Sequence, residues 1–478
     1  MKSFWVVWCL LAAFAAQAIP AVSGVSFYRR SNGVLRFKYV LSNDPAVVTV
    51  ALSSPSGHID ESTYTNLTGD VNCLVQPGVR RFDLRLGPEW EALGLSDGDI
   101  RVNVRAWMIS SPPDYMVMSL TNSQEKVAYY VSTNAFPVPF ASERHKTTHL
   151  VMKRVHAANV EFRMGSPENE SLRQSNEALR WAILSKDYYI GIYPVTKRQH
   201  DLAVGFVSSD SFWGDARFSG VRRDDWPVCR ISFSMLRSYP HGLGNGEGNL
   251  CGGPGSPGYQ HIPAWPADGH EMYLTNRVRC ACQSNGSWFP YMASWRSRYG
   301  FEFDLPTEAQ WEFACRGGLQ TRDYFATTVA NYAETSQWCR DLDAAAWTVR
   351  NSTNETLQLP VVHSVGLKPA NPFGLYDMIG LVGEWCLDLY ELPAASTTPV
   401  RDPIGKSGFA GVHFSRNDKP VLKGGSWLSD LKHARPAARS SLNPAYANTL
   451  YDAVAAQTDN LSSWLVGYRL CLPCQAVR

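Results

Sequence analysis

The chain has 478 residues, of which 45% are hydrophobic, 12% aromatic and 18% charged, and its formal net charge is +2. The composition is globular rather than disordered, and the length exceeds one ordinary core, so two domains are expected. A charge so close to balance gives no electrostatic case for nucleic acid or an anionic membrane as partner.

Residues 1–18, "MKSFWVVWCLLAAFAAQA", hold one lysine, an apolar run and a terminal Ala16-Gln17-Ala18. This is the pattern of a cleaved secretory signal peptide, and the run is short for a spanning helix. The expected location is secreted or periplasmic, with no membrane span after cleavage. Cys9 leaves with the signal, and ten cysteines remain. Export permits disulfides, and no quartet has zinc-finger spacing. The C-x-x-C at Cys471 and Cys474 does not start a helix, so a structural or free-thiol role is expected before redox chemistry.

Residues 22–133 read as β structure. Leu35, Phe37, Tyr39 and Leu41 alternate with polar neighbours, a "SNDPA" turn follows, and "VVTVAL" makes the next strand. Ile100, Val102, Val104 and Ala106 repeat the alternation, and "KVAYYVS" closes the set. Short strands without a long helix predict an all-β sandwich. It carries no catalytic constellation, which favours a spacer or docking module. Residues 134–147 are rich in proline and polar groups and read as a linker. His145 and His149 stand four apart, but no carboxylate follows at ligand spacing, so solvated histidines are expected.

Residues 148–475 change to mixed α and β. The clearest element is "LPTEAQWEFACRGG": Thr307 as N-cap, a capping box with Gln310, and Gly317 as terminator. Residues 241–270 are dense in glycine and proline and predict a long irregular loop, a kind often functional.

Five segments in this region, taken in order, resemble the formylglycine-generating enzyme family, also called sulfatase-modifying factors. They are "FRMGS" (162–166), "YYIGIYPVTKRQ" (188–199), "LPTEAQWEFACRGG" (305–318), "NPFGLYDMIGLVGEWCLDLY" (371–390), and "GGSW" through "AAR" with a terminal "GYRL" (467–470). The resemblance implies an irregular α+β domain of C-type-lectin-like character, with bound structural calcium. On it, Asp377 and Glu384 would offer carboxylates and Gly380 and Val382 carbonyls to one ion, and hard oxygen ligands suit Ca²⁺. A second ion would begin at Asn331 and Tyr332. In some members a cysteine at the place of Cys315 bonds one in the terminal strand. That implies a Cys315–Cys471 bridge here, although Cys471 is displaced by one residue.

The family's active enzymes oxidise a cysteine of a sulfatase peptide to formylglycine with copper and O₂. The resemblance puts their two reactive cysteines at Ser429 and Ala434. A thiolate is soft and can hold Cu(I), whereas a serine hydroxyl is hard and an alanine methyl has no ligand atom. Copper chemistry is therefore not expected to carry over. An iron site like that of the related sulfoxide synthases is no better supported, because "HKTTHLV" lacks its acid.

Other readings stay open on the residues. Ser429, Asp430 and His433 would make a nucleophile and base set if the segment were helical. Arg439 and Arg469, near the family's cleft, would either orient a peptide or carboxylate ligand or pair with buried acids. The preferred expectation is a calcium-stabilised scaffold for a peptide, glycan or protein partner. The competing one is a divergent oxidase or another enzyme of the superfamily.

Overall fold

A computed structural model describes residues 19–91, 95–122, 125, 127–204, 224–229, 231, 233, 236, 291–320, 323–325, 336–354, 359–404, 419–441 and 466–474. The signal-like segment, the 241–270 loop, Asn331 and Tyr332 lie outside the described residues. The chain forms two compact units, residues 1–109 and 110–478.

The first unit is β-rich. Its strands are β1 (Ala21–Arg29), β2 (Leu35–Ser42), β3 (Ala46–Ser54), β4 (Gly57–Ile59), β5 (Tyr64–Gly69), β6 (Cys73–Val75), β7 (Gly78–Leu86) and β8 (Arg101–Trp107), with a short helix α1 (Pro88–Glu91) after β7. One antiparallel sheet runs β1-β2-β7-β5, a second runs β4-β3-β6, and β8 pairs with β3. The expected inward set on β2 is buried: Leu35, Phe37, Tyr39 and Leu41. They share one apolar cluster with Val48, Val50 and Leu52 of β3, in which Phe37 and Phe82 stack at 4.6 Å.

The second unit begins earlier than expected. The strands β9 (Tyr115–Ser119) and β10 (Ala128–Tyr130) belong to it, not to the first domain. With β11 (His149–Val155), β12 (Val160–Met164), β13 (Arg180–Leu184) and β14 (Tyr188–Gly191) they open its β structure. The reason is pairing: β9 runs antiparallel to β11 with Met116 opposite Met152, so "KVAYYVS" ends up on this sheet's edge. The 134–147 segment is likewise structured. Helix α2 (Glu143–Thr147), capped by Ser142, buries His145, and His149 begins β11, also buried. Neither histidine is solvated: His145 Nδ1 meets the Phe140 carbonyl at 3.0 Å and Arg144 reaches the His149 ring.

The further helices among the described residues are α3 (Lys197–Val204), α4 (Tyr291–Tyr299), α5 (Glu308–Arg316) and α6 (Ser336–Ala345). The later strands are β15 (Thr353–Asn354), β16 (Leu359–Pro360), β17 (Gly383–Leu389), β18 (Ser396–Arg401), β19 (Pro420–Lys423), β20 (Ser440–Ser441), β21 (Val466–Gly467) and β22 (Cys471–Pro473). Among the described residues the sheet β12-β13-β18 gives Phe162, Met164, Ala182 and Leu184 to the core, and two larger sheets contribute beside it. One orders β10-β9-β11-β14-β22 and the other β20-β19-β17-β21. Strand β17 is buried at all seven positions, which explains why "GEWCLDL" shows no alternation. Helix α5 lies in the core against it, with Trp311, Phe313 and Cys315 buried.

Candidate functional site

The "GGSW" turn leaves β19 directly. Gly425 takes φ 69°, and a Cβ there would lie 2.8 Å from the His433 carbonyl oxygen, so the return of the chain needs glycine. Trp427 is buried and donates its backbone N–H to Leu381 O at 3.1 Å. The turn thereby sits on the 377–384 segment, the region expected to hold calcium.

Residues 427–439 form successive turns, not a helix. The spacing that would have joined Ser429 to His433 is therefore not realised. Ser429 Oγ accepts the Ser426 N–H at 2.8 Å and lies 3.2 Å from Ser426 Oγ. His433 Nδ1 instead meets Asp430 Oδ1 at 2.6 Å, half-exposed beside Lys432. The nucleophile–base set is not assembled, because the serine hydroxyl serves as a turn cap. Ala434 is wholly buried in the core cluster.

Both arginines pair with buried acids. Arg439 Nη2 donates to Glu308 Oε2 at 2.8 Å, and its guanidinium lies over the Tyr390 ring, 5.0 Å from the centroid. Arg469 donates to Glu384 through Nη2 at 2.8 Å and Nε at 3.0 Å, and also to the Gly191 and Tyr376 carbonyls. Every guanidinium nitrogen of Arg469 is thus used within the protein.

A larger ionic network escaped the sequence reading. Lys423 Nζ lies 3.0 Å from Glu312 Oε2 and 3.7 Å from Glu308 Oε1, and Arg316 Nη2 lies 2.7 Å from Glu312 Oε1. Burial alone would raise the Glu312 pKa, but Lys423 and Arg316 overcome it and hold it at about 2. Arg435 clamps Glu170 and Glu177 at 2.7 and 2.6 Å. One signal was present: Glu308, Glu312 and Arg316 follow at i, i+4 and i+8 along α5, so they share a helix face.

The calcium residues divide. Asp377 is buried at φ 55° and its Oδ2 accepts the Gly366 N–H at 2.7 Å. No lysine or arginine among the described residues pairs with it, and burial pushes its pKa up to about 6. A buried carboxylate short of positive charge fits a cation. The Gly380 carbonyl accepts only the Val382 N–H at 2.7 Å among the backbone bonds of this turn. Glu384 is already served by Arg469 and by Trp311 Nε1 at 2.7 Å. Among the described residues no group of three or more His, Cys, Asp or Glu stands ready for a metal, so carbonyl oxygens would have to complete any site.

Five of the described thiols are deeply buried. Cys315 and Cys471 are free, which overturns the expected bridge. Cys315 Sγ lies 4.0 Å from the Met378 carbonyl, while Cys471 pairs by backbone with Ile190 and Asp304. Cys229, Cys386 and Cys474 are also free and buried, and burial pushes the thiol pKa of all five up.

Residues 139–450 match the family model of the sulfatase-modifying factor enzyme 1-like domain. The chain belongs to that family. A formylglycine-generating enzyme of Streptomyces coelicolor is 34% identical over 143 residues, covering 29% of this chain and 42% of that protein. Chaperone protein LppX of Paenibacillus barcinonensis is 27% identical over 258 residues, covering 52% of this chain and 72% of its own. Serine/threonine-protein kinase pkn1 of Chlamydia caviae is 32% identical over 152 residues, covering 31% of this chain and 20% of the kinase. The chain thus spans only a fifth of that kinase and under half of that enzyme. Among solved structures, Treponema denticola variable protein 1 is similar at a TM-score of 0.41 and 18% identity, over 68% of this chain and 96% of its own. No described helix is long and apolar enough to cross a membrane.

Proposed function

We propose that this sulfatase-modifying-factor-family protein is exported and acts as a non-catalytic binding scaffold, not as a copper oxidase. The observation that carries this reading is the pair Ser429 and Ala434 at the positions the resemblance assigns to the copper thiols. One side chain is a hard hydroxyl tied into its own turn, and the other is a buried methyl. Neither can hold Cu(I). Cys229, Cys315, Cys386, Cys471 and Cys474 are buried and burial pushes their thiol pKa values up, so none of these five offers a ready thiolate in place of the missing pair.

In this reading the second unit is held by calcium at Asp377 and the carbonyls of Gly380 and Val382, with Glu384 adding negative charge already shared with Arg469. A second ion would use Asn331 and Tyr332. Bound calcium would supply fixed positive charge to a buried carboxylate. The first unit is a β-sandwich that serves docking. The partner of the second unit is a peptide, glycan or protein that meets the polar, partly exposed surface around Asp430, Lys432 and His433.

A competition titration with a chromophoric Cu(I) chelator tests the reading. The protein should leave copper with the chelator, and the paired change Ser429→Cys with Ala434→Cys should raise copper retention. Stoichiometric tight Cu(I) binding by the unaltered chain would refute it.

A further inference from the structure

The first unit holds a concave site that is independent of the reading above. Between the end of β1, the end of β7 and helix α1 lies a cavity of 410 Å³. Arg29, Asn32, Arg85, Leu86, Trp90 and Leu95 line it. That volume falls within the range of small-molecule sites, about 300–1,000 Å³.

The polar groups around the cavity are unevenly served. Arg29 Nε donates to Asp97 Oδ1 at 2.9 Å and its Nη2 to Leu95 O at 3.2 Å, so this arginine is held in place. Arg85 donates through Nη2 to the Asn32 carbonyl. Two donors are left over. Arg85 Nε and Trp90 Nε1 are both buried, and neither has a hydrogen-bond partner among the described residues. A buried donor without an acceptor is destabilising, more so when charged, so the cavity calls for an acceptor from outside.

Charge narrows the class. The two lining guanidiniums carry two positive charges, and Asp97 on Arg29 offsets one. Among the described lining residues one positive charge remains, which a monoanion balances. Guanidinium and indole N–H groups both donate and neither accepts, so the part of the ligand that meets them must present acceptors. A carboxylate does so with two oxygens in one plane, the geometry that suits a guanidinium. Leu86, Leu95 and the Trp90 ring provide apolar contact for the body of the ligand.

We propose that this cavity binds a small organic carboxylate, with Arg85 Nε–H and Trp90 Nε1–H donating to its oxygens. The carboxyl can belong to a peptide or to an acidic sugar. This gives the first unit a recognition role of its own.

Ligand-observed saturation-transfer NMR on the full chain tests the proposal with four probes: N-acetylglycinate, D-glucuronate, and their neutral counterparts N-acetylglycinamide and D-glucose. We expect at least one acid to bind and both neutral probes to fail. Binding of N-acetylglycinate alone marks the peptide source, and of D-glucuronate alone the sugar source. Arg85→Gln should weaken the bound acid by about tenfold or more, as loss of a charge-assisted bond implies. Trp90→Phe, which keeps an aromatic ring but removes the N–H, should weaken it several-fold. The acid–neutral comparison needs no variant, so a poorly folding variant leaves the test intact. Equal signals from acid and neutral probes, no signal from either acid, or full binding by a folded Arg85→Gln protein would overturn the proposal.

Discussion

The Arg469 guanidinium spans the Glu384 carboxylate, with Nη2 2.8 Å from Oε1 and Nε 3.0 Å from Oε2, both residues almost wholly buried. This contact ties the terminal "GYRL" segment to β17. It also places a fixed cation where the resemblance implied a calcium ligand. Breaking a buried pair from one side strands the other charge, at a cost of about 3–5 kcal/mol. Arg469→Leu and Glu384→Leu should each destabilise by that amount in urea unfolding. The double change should cost less than the sum, because it leaves no unpaired charge. Additive costs would mean that the two groups do not act as a pair.

Asp377 gives the calcium proposal a pH signature. Burial raises its pKa to about 6, above the ordinary 3.8. For such a group without metal, the stability contribution is fully present below the unfolded pKa and is lost as pH rises through about 6. Calcium needs the ionised form, so its stabilisation should be large at pH 7.5 and fade below about pH 6. Chelator should lower Tm at the higher pH and have little effect at pH 5. Asp377→Asn should remove the chelator effect and leave less calcium in the purified protein. A chelator response that is absent at pH 7.5 in the unaltered chain would remove Asp377 from the account.

His200 should govern part of the acid sensitivity. It is fully buried, its Nδ1 lies 2.9 Å from Tyr468 Oη, and burial lowers its pKa from 6.5 to about 4. A group whose folded pKa is depressed gives stability above the unfolded pKa that is lost as pH falls toward the folded one. The loss should thus fall between pH 6.5 and 4 and amount to roughly 3 kcal/mol at most. Unfolding free energies of the His200→Gln variant should decline less steeply over that window than those of the unaltered chain. Parallel slopes would assign the acid sensitivity elsewhere, with buried His149 and partly buried His363, both held at about 4, as the next candidates.

Local signals in the sequence carried far where one short rule decides structure. Helix α5 begins at Thr307 with a reciprocal Thr307–Gln310 capping box and ends at Gly317 in the left-handed region, as "TEAQWEFACRGG" implies. The alternation in β2 gave its buried face for the same reason: neighbours on a strand face opposite sides. What failed was non-local. Nothing near "KVAYYVS" says that β10 pairs with β9, and so joins a sheet whose central strand is β11, beyond the supposed linker. Nothing in "SDLKHA" says that Ser426 rather than His433 will satisfy Ser429. The partners of Arg435, Glu170 and Glu177, lie more than 250 residues away, a pairing set by the fold alone. The motif order nonetheless located the family correctly, because those segments are the core of the second unit.

The most direct test of the non-catalytic account is mass spectrometry of a sulfatase-derived cysteine peptide. The peptide is incubated with the full chain, copper, a thiol reductant and O₂, alongside a formylglycine-generating enzyme as positive control. With Ser429 and Ala434 at the two positions in question, we expect the peptide to keep its thiol mass while the control converts it. Loss of the thiol with appearance of the aldehyde mass, dependent on copper and on this protein, would contradict the account.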